Sequence, residues 1–237
     1  MIVTENEELR QDILLFSEQT MEKGHFWCKE KDYNDKSYTR EGYHGSTSIF
    51  CNYKSHYRDR GMVYRQTDVQ TMKYMFGHAI QFYMSPIHQK YSHVYTVDDV
   101  RVTPDYVNMK FFNYTTPLAE NKVTWWSLSN FDLTNHEKSD HYIKQMKQQC
   151  MVVGVRSNDF IGWFVNGFYK PMRPELMCWT VEFTEREIES NWLEVLSRKA
   201  VNERALKEDR LPDIHYYYDF ECRDCEYKQD FCPRWRK

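Results

Sequence analysis

Residues 222–232 read CRDCEYKQDFC and place Cys222, Cys225 and Cys232 close together in a polar segment. A Cys-x2-Cys pair brings two thiolates onto one turn, and a third cysteine shortly afterwards can fold back to the same point. Grouped thiolates suit zinc or an iron–sulfur cluster. The alternative is that each cysteine is a reduced, small apolar side chain. The segment favours a metal centre, which needs a fourth ligand from elsewhere in the chain.

The composition is that of an ordinary globular protein with many aromatic residues. The chain has 237 residues, a net charge of −3 and 16% aromatic residues. This length can bury one sizeable core, and the absence of a long apolar run predicts no membrane span. Residues 1–16 lack the features of a secretory signal, and the seven cysteines are an odd number. We therefore expect a cytoplasmic, reducing setting without a disulfide framework.

Hydrophobic spacing and turn residues predict a single α/β domain over residues 1–237. Helices are predicted at residues 4–22, 45–61, 67–84, 137–152 and 184–208, and strands at residues 93–102, 106–114, 122–131, 161–170 and 176–184. Thr184 and Glu187 have the spacing of a capping box for the last helix. The predicted organisation is an N-terminal extension (1–44), a helical region (45–92), a core (93–212) and a cysteine tail (213–237).

The cysteine spacing leads to a family resemblance. A lone cysteine in an N-terminal helical region, in STSIFCNYK (46–54), precedes Cys-x2-Cys-x6-Cys near the C-terminal end. This arrangement resembles the RecB-like PD-(D/E)XK nucleases that carry a [4Fe–4S] cluster, including CRISPR-associated and AddB-type members. The resemblance implies a central mixed sheet flanked by helices, with a cluster on Cys51, Cys222, Cys225 and Cys232. Cys28 is the alternative fourth ligand, and zinc is the alternative metal.

The same resemblance locates the catalytic motifs. The family carries an Asp, often after Pro, which matches Pro104-Asp105 in VTPDYV (102–107). The next strand should carry an acid-x-Lys motif. With VTWWSLSNF (123–131) in that place, Ser127 replaces the acid and Ser129 the lysine. The family's later Gln-x-x-x-Tyr helix matches Gln145 in HYIKQMKQQ (141–149).

Phosphodiester hydrolysis in this family needs two acidic ligands for Mg²⁺ or Mn²⁺ and a lysine. Ser127 and Ser129 supply neither, so the sequence predicts a degenerate site that retains Asp105 alone. The expected function is then single-stranded DNA binding by an inactive accessory subunit in replication, recombination or transcription. One alternative is an active Mg²⁺- or Mn²⁺-dependent DNA exonuclease using a shifted site formed by Asp99 and Asp105 with Asn108-x-Lys110. Another is a structural zinc or cluster protein that docks on a protein partner.

Basic and aromatic residues alternate beside two of the expected cluster ligands. Such residues contact phosphates and stack on unpaired bases, although each charge alone could simply belong to a solvated face. The candidate nucleic-acid-binding residues are Lys54, Arg58, Arg60, Arg65, Arg234, Trp235 and Arg236.

Overall fold

The computed structural model of the chain describes most of the predicted core and tail. The described residues are 1–22, 42–62, 72, 76–77, 79–80, 93–110, 113–165, 173–223, 225, 227–228 and 231–234. Cys28, Arg65, Trp235 and Arg236 lie outside them, as does most of the helix predicted at residues 67–84.

The described residues form eight strands and six α-helices. The strands are β1 (Ile2–Glu5), β2 (Tyr43–His44), β3 (Tyr95–Val97), β4 (Val100–Val102), β5 (Tyr106–Lys110), β6 (Thr115–Thr124), β7 (Ser157–Phe164) and β8 (Glu175–Glu182). The helices are α1 (Glu7–Glu22), α2 (Gly45–Ile49), α3 (Asn52–Asp59), α4 (His136–Val153), α5 (Glu185–Lys207) and α6 (Asp219–Arg223).

The larger sheet among the described residues is mixed, with strand order β1-β8-β7-β6-β5. β6 and β7 run parallel, and the other neighbours are antiparallel. A parallel pair requires a crossover connection, which α4 supplies here. A smaller sheet has the order β2-β4-β3. The predicted fold class, a central mixed sheet flanked by helices, is confirmed.

Both faces of the larger sheet are covered, which explains why neighbouring residues of one strand are buried together. Ile161 of β7 packs in a cluster with Leu9 and Ile13 of α1. The adjacent Phe160 packs in a second cluster with Ile143 of α4 and Ile188 of α5. The sheet is therefore the middle layer, with α1 on one side and α4 and α5 on the other.

The boundaries of α5 follow the sequence closely. The Glu187 N–H donates to Thr184 Oγ1 at 3.3 Å, and the Thr184 N–H donates to Glu187 Oε2 at 2.9 Å. The predicted capping box is confirmed. Ile188, Trp192 and Val195 are buried along the apolar side of the helix.

One strand prediction is wrong in a way that affects the site. The sequence predicts a strand over residues 122–131, but β6 occupies Thr115–Thr124. A 3₁₀ turn follows at Leu128–Asn130. Ser127 and Ser129 therefore lie beyond the strand, and a different part of β6 faces Asp105. The structure also adds β1, which pairs with β8 and was not predicted.

Candidate active site

Asp105 stands at the start of β5, directly after Pro104. Its Oδ2 accepts a hydrogen bond of 2.8 Å from the Asn121 N–H of the neighbouring strand β6. β5 and β6 are antiparallel, and Tyr106 is opposite Ala119. The next pair along the two strands is therefore Asp105 and Glu120. The antiparallel pairing thus brings a carboxylate on each strand to the same position.

β6 carries an acid and a lysine two residues apart, at Glu120 and Lys122. Their side chains form an ion pair. Glu120 is fully buried, whereas the Lys122 side chain keeps 26% of its accessible surface. Charges are rarely buried in a sheet because removing them from water is costly. Pro104-Asp105 and Glu120-Asn121-Lys122 together spell a PD…E-x-K pattern.

Two amides fix the orientation of the Glu120 carboxylate. Gln149 of α4 donates from Nε2 to Glu120 Oε2. Gln149 Oε1 in turn accepts a 2.7 Å hydrogen bond from Asn158 Nδ2 of β7. All three side chains are buried. Such a chain of hydrogen bonds holds a side chain in one position, as a binding or catalytic group requires.

The charges of the site perturb one another. Burial, together with the neighbouring Asp105 charge, raises the pKa of Glu120 to about 7. Burial also raises the pKa of Asp105, although Lys122 and the Asn121 N–H oppose this. Burial alone would lower the pKa of Lys122, but the Glu120 and Asp105 charges raise it above its ordinary value. Lys122 is therefore cationic and faces two carboxylates that repel each other.

Helix α4 adds aromatic side chains next to Lys122. The Tyr142 hydroxyl is hydrogen-bonded to the Thr124 side chain, and burial raises the Tyr142 pKa while the Lys122 charge lowers it. The adjacent His141 is largely enclosed by the rings of Phe50, Tyr142, Tyr218 and Phe220. Burial and the nearby Lys122 lower the pKa of His141 to about 4. His141 is therefore neutral at physiological pH.

Among the residues predicted for catalysis, Asp105 lies in this site. Ser127 and Ser129 do not, because they lie in the turn after β6. Their hydroxyls are 3.0 Å apart in that turn. Asn108 and Lys110, the alternative pair, are exposed on β5. The sequence reasoning missed Glu120 and Lys122, and it aligned Gln149 with the tyrosine of the family's Gln-x-x-x-Tyr motif without assigning it a role. The sequence did contain a signal, the Glu-x-Lys triplet ENK (120–122). It follows Pro104-Asp105 after about as many residues as a turn and a second strand require.

The donor set fits a hard divalent cation. Mg²⁺ is bound through one or two carboxylates and keeps several waters or phosphate oxygens. Asp105 and Glu120 supply two carboxylates, and burial is the main cause of their raised pKa values. Within the described ranges, no three His, Cys, Asp or Glu side chains are grouped as ligands of one ion.

The cysteine tail meets α3 in a second candidate centre. Cys51, Cys222, Cys225 and Cys232 all line one small cavity of about 20 Å³, which Lys54, His215 and Glu221 also line. Cys51 Sγ lies 3.4 Å from His215 Nε2, and the Cys51 N–H donates to Glu221 Oε1 at 3.0 Å. A four-iron cluster is larger than one ion, so the sulfurs would have to separate around it. Cys150 and Cys178 lie instead in the two core clusters.

Hydrogen bonds join the tail to α3 without help from the cysteines. Asn52 Nδ2 donates to the Ile214 carbonyl at 2.5 Å, and the Tyr216 N–H donates to Asn52 Oδ1 at 2.9 Å. Tyr57 Oη donates to the Phe231 carbonyl at 2.7 Å. The Tyr53 ring stacks on His215 with 3.8 Å between the ring centroids. Protein contacts alone thus hold the cysteine-bearing segments together.

The candidate nucleic-acid-binding residues have unequal surroundings. Arg58 is exposed, whereas Arg60 forms an ion pair with Asp209. Arg234 lies over the Tyr217 ring at 4.1 Å and within 3.3 Å of an Asp219 oxygen. Arg234 therefore contacts other tail residues, and Arg60 links α3 to the residues after α5.

Comparison with known proteins gives distant structural likenesses. No family model matches the chain, and no curated protein matches it. A crystal structure of LHK-Exo in complex with dAMP is 16% identical with a TM-score of 0.41, covering 70% of this chain and 90% of that chain. An alkaline exonuclease (LHK-Exo) from Laribacter hongkongensis has the same identity and coverage, with a TM-score of 0.40. The crystal structure of SSO0001 is 10% identical with a TM-score of 0.46, covering 87% of this chain and 93% of that chain.

The helices in the described part of the chain include none that combines the length and apolar character needed to cross a membrane.

Proposed function

We propose that the chain is a metal-dependent nuclease whose active site consists of Asp105, Glu120 and Lys122. The observation that carries this proposal is the buried Glu120–Lys122 ion pair held against Asp105 by β-sheet register. Strongly perturbed acids beside a partly buried lysine are costly to maintain and are typical of functional sites. A sheet strand of this length would be more stable with apolar residues at these positions.

Each residue has a separable role in phosphodiester hydrolysis. Asp105 and Glu120 would bind Mg²⁺ or Mn²⁺, which, when bound, supplies Lewis-acid stabilisation of the phosphate oxygens. Lys122 remains charged because both carboxylates favour its protonated form. Its ammonium can therefore hold the attacking water and the negative phosphate in place. Gln149 positions the Glu120 carboxylate through its hydrogen bond.

This proposal replaces the expectation of an inactive site. That expectation depended on Ser127 and Ser129 occupying the acid and lysine positions, and β6 ends before either residue. The predicted inactivity thus loses the reason for which it was made.

The direct test is hydrolysis of labelled DNA by purified protein with Mg²⁺ or Mn²⁺. Asp105→Asn and Lys122→Met should each reduce the rate by at least about a hundredfold, because each removes a group used in the transition state. Asp132→Asn is the matched control, since Asp132 is an exposed acid that binds Thr134 in a surface turn. A wild-type rate no higher than that of the two site variants would refute the nuclease proposal.

We also propose that Cys51, Cys222, Cys225 and Cys232 bind a [4Fe–4S] cluster. The common cavity of the four sulfurs supports this, as does the chemistry of grouped thiolates. Anaerobically purified protein should be brown and contain about four irons per chain. Comparing the single variants Cys51→Ser and Cys28→Ser identifies the fourth ligand, since the variant that lacks the true ligand loses iron. Colourless protein with one zinc would support the zinc alternative instead.

DNA, and single-stranded DNA in particular, is the substrate we propose. Arg58 is an exposed cation on α3 that can contact phosphates. Binding that weakens steeply with salt would support this, and binding absent at low salt would contradict it. The role as a subunit of a replication, recombination or transcription complex stays a prediction.

A further inference from the structure

Trp126 is a large aromatic side chain presented at the end of the proposed catalytic strand. It lies just beyond the end of β6 and is 43% exposed. It is four positions after Lys122, so its Cα lies at most about 14 Å from that of Lys122. An exposed tryptophan this close to the proposed site lies within reach of any strand bound there.

The turn that carries Trp126 is anchored. The Trp126 N–H donates to Thr124 Oγ1 at 3.2 Å, and Asn130 Nδ2 donates to Ser127 Oγ at 3.0 Å. Phe131, which ends the turn, packs on the ring of Phe160 with 5.7 Å between the centroids. The tryptophan is thus held at a defined place, which lowers the entropic cost of binding a ligand on it.

The strand direction relates Trp126 to the proposed catalytic side chains. Side chains alternate along a strand, which places those of Lys122 and Thr124 on one face. Both lie near Tyr142 of α4. Trp126 follows Thr124 by two residues, and Ser129 and Asn130 are exposed in the same turn. Hydroxyl and amide groups of this kind contact phosphate and sugar oxygens.

A second exposed aromatic lies nearby. The Phe76 ring meets Trp125 edge to face with 5.0 Å between the centroids, and Phe76 is 41% exposed. Exposed aromatic faces suit a flat, uncharged group. Successive bases of an unpaired strand present such groups, whatever their sequence.

We propose that Trp126 stacks on an unpaired base of the nucleic-acid strand whose phosphate occupies the Asp105–Glu120–Lys122 site. This inference rests on the proposed nuclease function and adds to it a preference for single-stranded or frayed substrate. The stacked nucleotide lies a short distance along the strand from the phosphate that is cut. Ser129 and Asn130 contact the sugar–phosphate backbone beside it.

The test measures binding separately from hydrolysis. All variants carry Asp105→Asn and are assayed in EDTA with fluorescently labelled oligonucleotides, single-stranded or with overhangs of increasing length. Trp126→Ala and Trp126→Leu should each weaken binding of single-stranded DNA by about 5- to 100-fold. Trp126→Tyr should bind within about twofold of the parent, because it retains an aromatic face. Leu193→Ala is the matched control, since Leu193 is 67% exposed on α5.

Abasic substitution locates the stacked base. One abasic position should weaken binding to the parent protein but have little further effect on the Trp126→Ala variant. Equal binding by the leucine variant and the parent would overturn the proposal, because a merely apolar contact survives that change. Equal sensitivity of both proteins at every abasic position would also overturn it. Because the assay contains no catalysis, a failed nuclease assay on the wild-type protein remains a separate result.

Discussion

Replacing Glu120 by Gln should stabilise the metal-free protein at neutral to alkaline pH. The carboxyl has an ordinary pKa of 4.5, and burial and Asp105 raise the pKa of Glu120 to about 7. A raised folded-state pKa means that stability is full below the unfolded-state pKa and is lost as pH rises through the folded-state pKa. At 1.36 kcal/mol per pKa unit, the loss amounts to about 3 kcal/mol at pH 8.

The assay is urea unfolding in EDTA at two pH values. Glu120→Gln should gain up to about 3 kcal/mol over wild type at pH 8, and less than about 1 kcal/mol at pH 5. Glu203→Gln is the control, because Glu203 is 55% exposed in a surface ion pair with Lys199. Its effect should be within about 0.5 kcal/mol at both pH values.

Addition of Mg²⁺ or Mn²⁺ should make wild type more stable than Glu120→Gln at pH 8. The cation stabilises the wild-type protein by binding the folded state, whereas Glu120→Gln lacks one of the two proposed ligands. If Glu120→Gln were instead less stable than wild type at pH 8 in EDTA, the carboxylate would be a structural group. The reasoning that treats it as a strained cation ligand would then be wrong.

Three further outcomes are expected. The folded protein disfavours a protonated His141 ring, so wild type should lose stability as the pH falls from about 6.5 to 4. His141→Phe should not show this loss, and thermal unfolding at a series of pH values measures it. Asn52→Ala should cost about 1–3 kcal/mol and speed proteolysis of the tail, because it removes the hydrogen bonds to residues 214 and 216; unchanged cleavage would show that other contacts suffice. Asp159→Ala should cost about 1–3 kcal/mol in urea unfolding, because it leaves the Tyr114 and Thr180 hydroxyls without the carboxylate to which they donate.

The regular elements were readable from the sequence where apolar spacing and caps agree. α5 begins at its predicted capping box, and α4 and β8 lie within one or two residues of their predicted bounds. β6 was misplaced for a physical reason. Its segment TTPLAENKVT contains Pro117, Glu120 and Lys122, which strands normally avoid. The aromatic run that follows has higher strand propensity but forms a turn.

The strand that was predicted in the wrong place, β6, also carries the proposed site. One cause explains both. A sequence pattern predicts an element from what stabilises it, whereas Glu120 and Lys122 are buried at a cost to stability. Asp105 was found because Pro104 marks it in the local sequence. The partner of Asp105 follows from the β5–β6 register, and Gln149 from the packing of α4 on the sheet. Neither relation can be read from local spacing.

The cavity that Cys51 shares with the tail cysteines can form only late in synthesis of the chain. Cys51 is made early, but the segment holding Cys222, Cys225 and Cys232 leaves the ribosome only after the whole sheet has been synthesised. Until then, Asn52 and Tyr57 lack the carbonyl partners that bury this corner of α3. The metal centre proposed for these cysteines would therefore be delivered late, after the tail has been synthesised. A chain interrupted before residue 222 would expose the Cys51 corner, which gives quality-control proteases a means of recognising it.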